Sequence, residues 1–288
     1  MMDDTRSHVL LTGASGRVGR MVRSHWPARA PDIALTPQYR RDAPPGALDW
    51  DPSDGPGAVL ASGARFDTVI ALAGVTPAPG RDLAGNREIA EATLDAAWQA
   101  GVRRVLLASS SAVYGPGDGY PLGEDAPCAP ANAYGRAKCE MEAACAPWRS
   151  RGLEICCLRI GNVAGADALL HNVAQSGPEE AVVIDRFVDG GGPVRSYIGP
   201  GTLAAVLATL CRAPGPLPRV LNVAAPAPVA MTALAEAAGA PYTMRPAPPG
   251  AHQRITLDCA RLAALHDFAP EDRMVAEMVR QWQATRTG

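Results

Sequence analysis

The stretch Thr12-Gly13-Ala14-Ser15-Gly16-Arg17-Val18-Gly19 follows a short apolar run, His8 to Thr12, near the start of the 288-residue chain. Three glycines at three-residue spacing, between a strand signal and a helix signal, form a turn through which a backbone approaches a pyrophosphate. The N-terminus of the next helix offers free N–H groups and a favourable dipole to the same anion. The stretch predicts a dinucleotide-binding turn, although a glycine-rich turn without a ligand has the same pattern.

Strand and helix signals alternate after this turn as far as residue 165. Such alternation builds a doubly wound parallel sheet with helices on both faces, the Rossmann arrangement of the α/β class. The strand signals lie at 33–36, 66–73, 105–108 and 153–160, the helix signals at 86–100 and from 134 to about 147, and loop signals at 43–57 and 115–130. We expect residues 1–165 to form a dinucleotide-binding domain.

The alternation of strand and helix signals ends at residue 165. We expect residues 166–288 to form a smaller C-terminal lobe that caps the substrate crevice, with one strand, near 219–224, returning to the main sheet. The other signals are a β-like stretch at 185–198, helices at 202–212, 232–238 and 274–285, and a proline-rich segment at 241–250.

Lys138 is the only lysine of the chain, and it follows Tyr134 by four residues in Tyr134-Gly135-Arg136-Ala137-Lys138. Residues four apart share one face of a helix, so the ammonium is predicted to lie beside the phenol. A free tyrosine has a pKa of about 10, and a fixed positive charge nearby lowers that value. We interpret Tyr134 as a general acid/base that Lys138 activates. An ordinary helix face is the alternative.

The cofactor is predicted to lie along the ends of successive strands. The second strand runs into Arg40 and Arg41, where NAD enzymes place an acidic residue for the ribose 2′-hydroxyl. No acidic residue occurs there before Asp42, and Arg40, Arg41 and Arg17 could hold a 2′-phosphate, so we favour NADP slightly over NAD; ordinary exposed surface arginines are the alternative. The predicted cofactor-binding residues are Gly13, Ser15, Gly16, Arg17, Val18, Gly19, Arg40, Asp51 (near the adenine), and the small-residue turn Leu72, Ala73 and Gly74.

A serine-rich segment, Ser109-Ser110-Ser111, ends the strand at 105–108. A hydroxyl at the carboxyl end of a parallel strand is placed over the ligand crevice. Ser110 can donate a hydrogen bond to a substrate oxygen and position it against Tyr134. The alternative is that these hydroxyls bond only to the backbone.

Composition narrows the classes of partner and location. The net charge of −2 gives no reason to expect nucleic acid or membrane binding. Seven cysteines without a Cys-x-x-Cys motif predict buried thiols in a reducing cytoplasm, and five scattered histidines predict no metal site. Residues Met1 to Thr5 lack the features of a signal peptide, and no stretch has the length of a membrane span.

Four ordered segments together resemble the extended short-chain dehydrogenase/reductase family, in its NAD(P)-dependent epimerase/dehydratase branch. They are Thr12 to Gly19, Ser109 to Gly115, Tyr134 to Lys138 and Leu158 to Val163. The resemblance covers nearly the whole chain. It implies hydride transfer at a nicotinamide, with Tyr134 as the acid/base, Ser110 as the hydroxyl anchor, and Lys138 binding the nicotinamide ribose.

The resemblance also implies a sugar or sugar-nucleotide substrate. Asn162 and Arg195 match positions that contact the substrate diphosphate, Arg245 is given a related role, and Ser111 is assigned to the substrate side. Ser111 and Ala112 stand where 4,6-dehydratases carry an Asp-Glu pair, and Ala112 stands where 3,5-epimerase/reductases carry a cysteine, so the resemblance disfavours these two reactions.

We therefore expect an NAD(P)-dependent epimerase or oxidoreductase. The alternatives are an NADPH-dependent carbonyl reductase of a non-nucleotide substrate and a non-catalytic NADP-binding regulator. The regulator is disfavoured because Ser110, Tyr134 and Lys138 are all present. The resemblance further implies a homodimer formed through the helices that begin near Asn86 and Asn132.

Overall fold

The computed structural model of the protein describes residues 7–175, 177 and 180–286. The expectation about Met1 to Thr5 lies outside the described residues. The strands are β1 (His8–Thr12), β2 (Ala34–Tyr39), β3 (Leu48–Asp49), β4 (Thr68–Ala71), β5 (Arg104–Ser110), β6 (Glu154–Ile160), β7 (Asn162–Val163), β8 (Val182–Arg186), β9 (Val194–Ile198), β10 (Val220–Val223), β11 (Pro228–Ala230), β12 (Tyr242–Pro246) and β13 (Arg254–Ile255).

Helices separate most of these strands, as the alternating signals predict. The α-helices are α1 (Arg17–Arg29), α2 (Gly57–Ala61), α3 (Gly85–Gln99), α4 (Ala133–Ala143), α5 (Ala146–Ser150), α6 (Ala168–Gln175), α7 (Pro200–Arg212), α8 (Met231–Ala237), α9 (Ala260–Ala263) and α10 (Val275–Ala284). Short 3-10 helices lie at Pro52–Asp54, Ser111–Tyr114 and Pro270–Arg273.

The central sheet has seven strands in the described part of the chain, in the order β10-β6-β5-β4-β1-β2-β3. All neighbouring strands in it run parallel. The order reverses direction at β1, so the carboxyl ends of β1 and β4 meet at a topological switch point, where such sheets bind ligands. The predicted doubly wound α/β fold is confirmed.

The two faces of the sheet bury separate apolar cores. Val9 and Leu11 of β1 are buried in the core that includes residues of α1 and α7, whereas Leu10 is buried in the core that includes residues of α3. Successive side chains of a strand point to opposite faces, so a strand covered on both sides reads as a continuous apolar run. This explains why β1, β5 and β6 are recognisable in the sequence.

The C-terminal lobe is built from short strands. β9 pairs with β7, β11 and β13, while β8 pairs with β12, and β10 lies beside β6 in the main sheet. The proline-rich segment at 241–250 contains β12, which the sequence did not predict. The segment predicted as a loop at 43–57 likewise contains β3 and a 3-10 helix.

The cysteines are free thiols, but they are not all buried as predicted. Cys128 is exposed and Cys139 is partly exposed, whereas the other five are buried. Cys128 lies in the loop before α4, and a loop on the surface has no reason to bury every apolar side chain. Within the described residues, no helix combines the length and apolar character needed to cross a membrane.

We expect Gly165→Ala to lower the free energy of unfolding by about 3 kcal/mol, because it adds a methyl group at a positive φ and against an indole ring. Gly165 has φ +88°, and a Cβ there would overlap the Trp282 side chain of α10. Gly152→Ala is the matched control, since Gly152 has φ +92° with open space around it. Urea unfolding of both variants measures the difference, and equal losses would contradict the packing explanation.

Candidate functional site

The glycine turn after β1 is shaped by close backbone approach. Gly13 has φ +70°, and a Cβ there would lie 2.5 Å from the Ala73 nitrogen; a Cβ on Gly19 would overlap the Gly13 carbonyl oxygen. The Gly13 N–H donates to the Gln38 side-chain oxygen at 3.0 Å. The turn is therefore held against the ends of both β4 and β2.

The N-terminus of α1 is open to an anion. Gly16 is its N-cap, and among the described residues no side chain caps this end. Ser15 and Gly16 are exposed, while Arg17 and Val18 are partly buried in the first turn. A glycine cradle that a Cβ would fill, followed by an uncapped helix N-terminus, fits the pyrophosphate of a dinucleotide.

The adenosine side of the predicted site lies beyond β2. Arg40 is exposed, and the Asp51 carboxylate accepts hydrogen bonds from the Ser53 N–H at 3.0 Å and from its hydroxyl at 2.8 Å. These bonds lower the pKa of Asp51, and the charges of Arg40 and Arg41 add to the effect. Arg40 and Asp51 thus lie within electrostatic reach of each other, as a shared ligand would require.

The turn after β4 lies against α4, which carries Tyr134 and Lys138. A Cβ on Gly74 would lie 3.5 Å from Lys138 Nζ and 2.8 Å from Asn86 Oδ1. Asn86 is buried in α3, and its side-chain amide bonds both the N–H and the carbonyl of Val75, at 3.1 and 2.9 Å. The described residues therefore place Leu72, Ala73 and Gly74 between the glycine turn and Lys138.

Tyr134 lies near Ser110, whose side chain acts on the pKa of the phenol. Ser110 ends β5, and its hydroxyl also accepts from the Ala112 N–H at 3.2 Å, which fixes its direction. Burial raises the pKa of Tyr134, and the Ser110 hydrogen bond opposes that shift. The expected lowering of this pKa by Lys138 is wrong: desolvation of the phenolate raises the pKa of Tyr134, and the group that opposes the rise is Ser110.

Lys138 is buried on the same face of α4. Its ammonium donates to the Ala108 carbonyl at 2.9 Å and lies 5.9 Å from the centre of the Tyr134 ring. Burial lowers the pKa of Lys138 from 10.5 to about 8, while the charge of Glu142 opposes that shift. The ammonium is thus charged at neutral pH, close to its titration point.

The predicted substrate residues are divided between the ends of the main-sheet strands, for Ser111 and Asn162, and the C-terminal lobe, for Arg195 and Arg245. Ser111 begins the 3-10 helix after β5, and Asn162 of β7 pairs with Tyr197 of β9. Arg195 of β9 donates to the carbonyls of Val194, Gln253 and His252 at 2.7 to 3.0 Å. Its guanidinium is therefore bonded to backbone oxygens rather than turned to a free surface.

Arg245 also has a protein partner. It lies on β12 and forms a salt bridge with Asp185 of the paired strand β8 at 2.9 Å, with 66% of its side chain exposed. Exposed salt bridges of this kind contribute little to stability, so Arg245 could leave Asp185 for a ligand at a small cost in free energy. The diphosphate-binding roles of Asn162, Arg195 and Arg245 remain predictions.

Three residues that shape the site were not predicted. Gln38 bonds the Gly13 N–H, Asn86 ties the turn after β4 to α3, and Glu142 faces Lys138 from one helical turn away. Only Glu142 leaves a signal in the sequence, because it continues the four-residue spacing of Tyr134 and Lys138. Together the described groups can hold a dinucleotide beside a phenol that exchanges a proton.

A family model described as the NAD dependent epimerase/dehydratase family matches residues 9–199. The UDP-glucose 4-epimerase of Azospirillum brasilense is 32% identical over 183 residues, which are 58% of this chain. This chain spans about half of that relative's length, 53%. The UDP-glucose 4-epimerase of Streptomyces lividans is 30% identical over 243 residues, 72% of each chain.

Among solved structures, a UDP-glucose-4-epimerase from Stenotrophomonas maltophila, with bound NAD and formylated UDP-arabinopyranose, superposes with a TM-score of 0.79. It is 20% identical and 98% of each chain is covered, so this likeness shows the fold. The family match covers all four segments that carried the resemblance, and the predicted enzyme family is confirmed. The chain belongs to the NAD dependent epimerase/dehydratase family.

Proposed function

We propose that the protein transfers hydride between a nicotinamide dinucleotide and a carbinol or carbonyl carbon of a sugar or sugar nucleotide, with Tyr134 as the acid/base. The observation that carries the proposal is the convergence of Ser110, Tyr134 and Lys138 beside Gly74, at the sheet edge that bears the glycine turn. Relatives called UDP-glucose 4-epimerase support the substrate class. A bound nicotinamide would supply the hydride acceptor or donor.

Tyr134 moves the proton of the substrate hydroxyl. Its raised pKa keeps the phenol protonated at neutral pH, which suits donation to a carbonyl oxygen that becomes an alkoxide. In the reverse direction the phenolate is stabilised by the Ser110 hydroxyl and by the positive charge of Lys138. Ser110 also orients the substrate oxygen, since its own direction is set by the Ala112 N–H.

A carbonyl reductase of a non-nucleotide substrate is the second candidate. It is favoured by the engagement of Arg195 with three carbonyls and of Arg245 with Asp185. A diphosphate would have to replace these bonds. The non-catalytic regulator has no comparable observation in its favour.

We infer that the cofactor is NADP or NAD, with NADP favoured by the exposed Arg40. Structural neighbours are described with bound NAD, so NADP preference is the finer part of the proposal. We also propose that the protein is a cytoplasmic homodimer whose interface is formed by α3 and α4. The exposed faces of these helices carry charged residues, Arg87, Arg136 and Glu140 among them, so the interface would be more polar than their alanine content suggests.

The cofactor and the substrate class can be tested together. Mass spectrometry of the purified protein identifies any retained dinucleotide, and chromatography of UDP-glucose incubated with it detects UDP-galactose. Retained NAD with epimerisation supports an epimerase. Free exchange of NADPH, with turnover of simple carbonyl compounds only, supports the reductase.

Tyr134→Phe removes the hydroxyl that exchanges the proton and keeps the ring. We expect turnover to fall by at least about a hundredfold, the usual contribution of a positioned acid/base, with dinucleotide affinity nearly unchanged. Turnover and cofactor fluorescence titration are the two measurements. Tyr120→Phe, which alters an exposed phenol in the loop before α4, is the control. Turnover retained in the Tyr134 variant would refute the acid/base role.

Lys138→Met should abolish turnover and stabilise the fold at neutral pH. The folded-state pKa of about 8 lies below the ordinary 10.5, so burial of the ammonium costs about 3 kcal/mol at pH 7. The wild-type protein escapes this cost as the pH rises from about 8, where the lysine loses its proton in the folded state, to 10.5, where it loses it in the unfolded state as well.

Urea unfolding of wild type and Lys138→Met at several pH values gives the comparison. The stability advantage of the variant should be largest below pH 8 and should shrink as the pH approaches 10.5. A constant difference across that range would show that Lys138 has an ordinary pKa. Subtracting the unfolding free energies of the two proteins at each pH removes the contributions of all other groups that titrate alike in both.

Arg40→Ala should weaken NADP binding by roughly tenfold, the effect of losing about 1.4 kcal/mol from one charge-assisted contact, and leave NAD binding unchanged. Arg65→Ala is the control, because Arg65 is exposed but precedes β4, at the opposite edge of the sheet. Equilibrium titration with both dinucleotides measures the ratio. Equal losses for NAD and NADP would contradict the 2′-phosphate role.

A further inference from the structure

The face of α4 that bears Tyr134 and Lys138 continues for one more turn to Glu142. Residues four apart share a helix face, so the three side chains form a row that points to the sheet. Lys138 is 4% exposed and Glu142 is 9% exposed. A partly buried phenol, a buried ammonium and a buried carboxylate thus lie in line.

Glu142 is held by partners on two strands. The Ser109 hydroxyl of β5 donates to Oε1 at 2.5 Å, and Arg159 of β6 donates to both carboxylate oxygens, with its shortest bond 2.8 Å. The Arg159 guanidinium also stacks on the Tyr114 ring at 4.6 Å. These charge-assisted bonds fix the position of the carboxylate between the two strands.

The surroundings of Lys138 contain few other charges. Its own helix contributes Tyr134 and Glu142, and β6 contributes Cys157 and, beyond the carboxylate, Arg159. The Ala108 carbonyl and the Ser109 hydroxyl of β5, and the Gly74 turn with the Asn86 amide, face it as uncharged groups. Among the described groups that shift the pKa of Lys138, Glu142 is the one that carries a carboxylate.

We propose that Glu142 is a positioning residue, whose carboxylate, held by Ser109 and Arg159, keeps Lys138 protonated at the pH of turnover. This inference rests on the proposed function, because it concerns the charge that stabilises the Tyr134 phenolate. The lysine is already close to losing its proton through burial. Without the carboxylate, Lys138 and Arg159 would be two buried positive charges near each other. The ammonium would then lose its proton, because a guanidinium does not.

A purely structural role for the Glu142–Arg159 pair is the competing explanation. Buried ion pairs contribute little net stability compared with neutral replacements, whereas removing one partner leaves an uncompensated charge. A loss of activity in the single variant Glu142→Gln is therefore ambiguous, because this variant leaves the Arg159 charge buried without its partner and can fail to fold. The double variant Glu142→Gln/Arg159→Gln removes both charges and retains a group that can accept from Ser109.

The solitary lysine makes a direct measurement possible. Selective carbon-13 labelling of the lysine side chain gives one signal, that of Lys138, whose titration by NMR needs no enzyme assay. We expect the Lys138 pKa to be lower in the double variant by about one unit or more, the usual effect of a nearby opposite charge. The alkaline limb of the kcat profile should move down by the same amount. Glu140→Gln, an exposed carboxylate on the same helix, should move neither.

An unshifted Lys138 titration in the folded double variant would overturn the proposal, whatever the activity. A shifted titration with an unmoved kcat limb would also overturn it, since the lysine charge would then not govern turnover. Absence of turnover in the wild-type protein would instead refute the proposed function, and the NMR titration would still decide whether Glu142 sets the charge of Lys138.

Discussion

The buried ammonium of Lys138 is the constraint on which the site depends. It bonds the Ala108 carbonyl of β5, lies beside the Gly74 turn after β4, and feels the charge of Glu142 from its own helix. Each of these comes from a different element of the sheet domain. Desolvation lowers the pKa of the lysine and raises that of Tyr134, so burial opposes the ionised form of both groups. Under the proposed function, proton transfer at the phenol would be governed by the few groups that offset desolvation.

Close contacts between backbones bring these elements together. The approach of Gly13 to Ala73 joins the ends of β1 and β4, and a Cβ on Gly161 would lie 2.6 Å from the Ser196 carbonyl oxygen, where the substrate lobe packs on the end of β6. Both contacts lie at the carboxyl edge of the sheet. The contact at Gly13 thus sets the spacing of β1 and β4, and the contact at Gly161 sets the distance between the sheet domain and the C-terminal lobe.

The strands of the main sheet were predictable because a strand covered on both faces is a continuous apolar run, as in β5 and β6. The strand β12 was not, because within the described residues it pairs with β8 alone, and its Pro246, with other prolines close by, normally indicates a loop. Arg195 bonds to the carbonyls of Gln253 and His252, which lie nearly sixty residues away in the sequence. No local sequence pattern predicts such hydrogen bonds. The motif spacing predicted which side chains converge, but it did not predict how burial would shift their pKa values.

The need for lysine at position 138 follows from the number of donors that its surroundings can accept. Nζ bonds the Ala108 carbonyl at 2.9 Å and makes a weak contact with Met141 Sδ at 3.6 Å, and the turn after β4 lies directly beyond. A guanidinium has five N–H groups in a planar fork, most of which would find no acceptor there. It would also stay charged under all conditions, so burial could not be relieved by loss of a proton. A chain that otherwise uses arginine for its strong cations keeps a lysine at the one position where a compact charge of adjustable protonation fits between a phenol and a carboxylate.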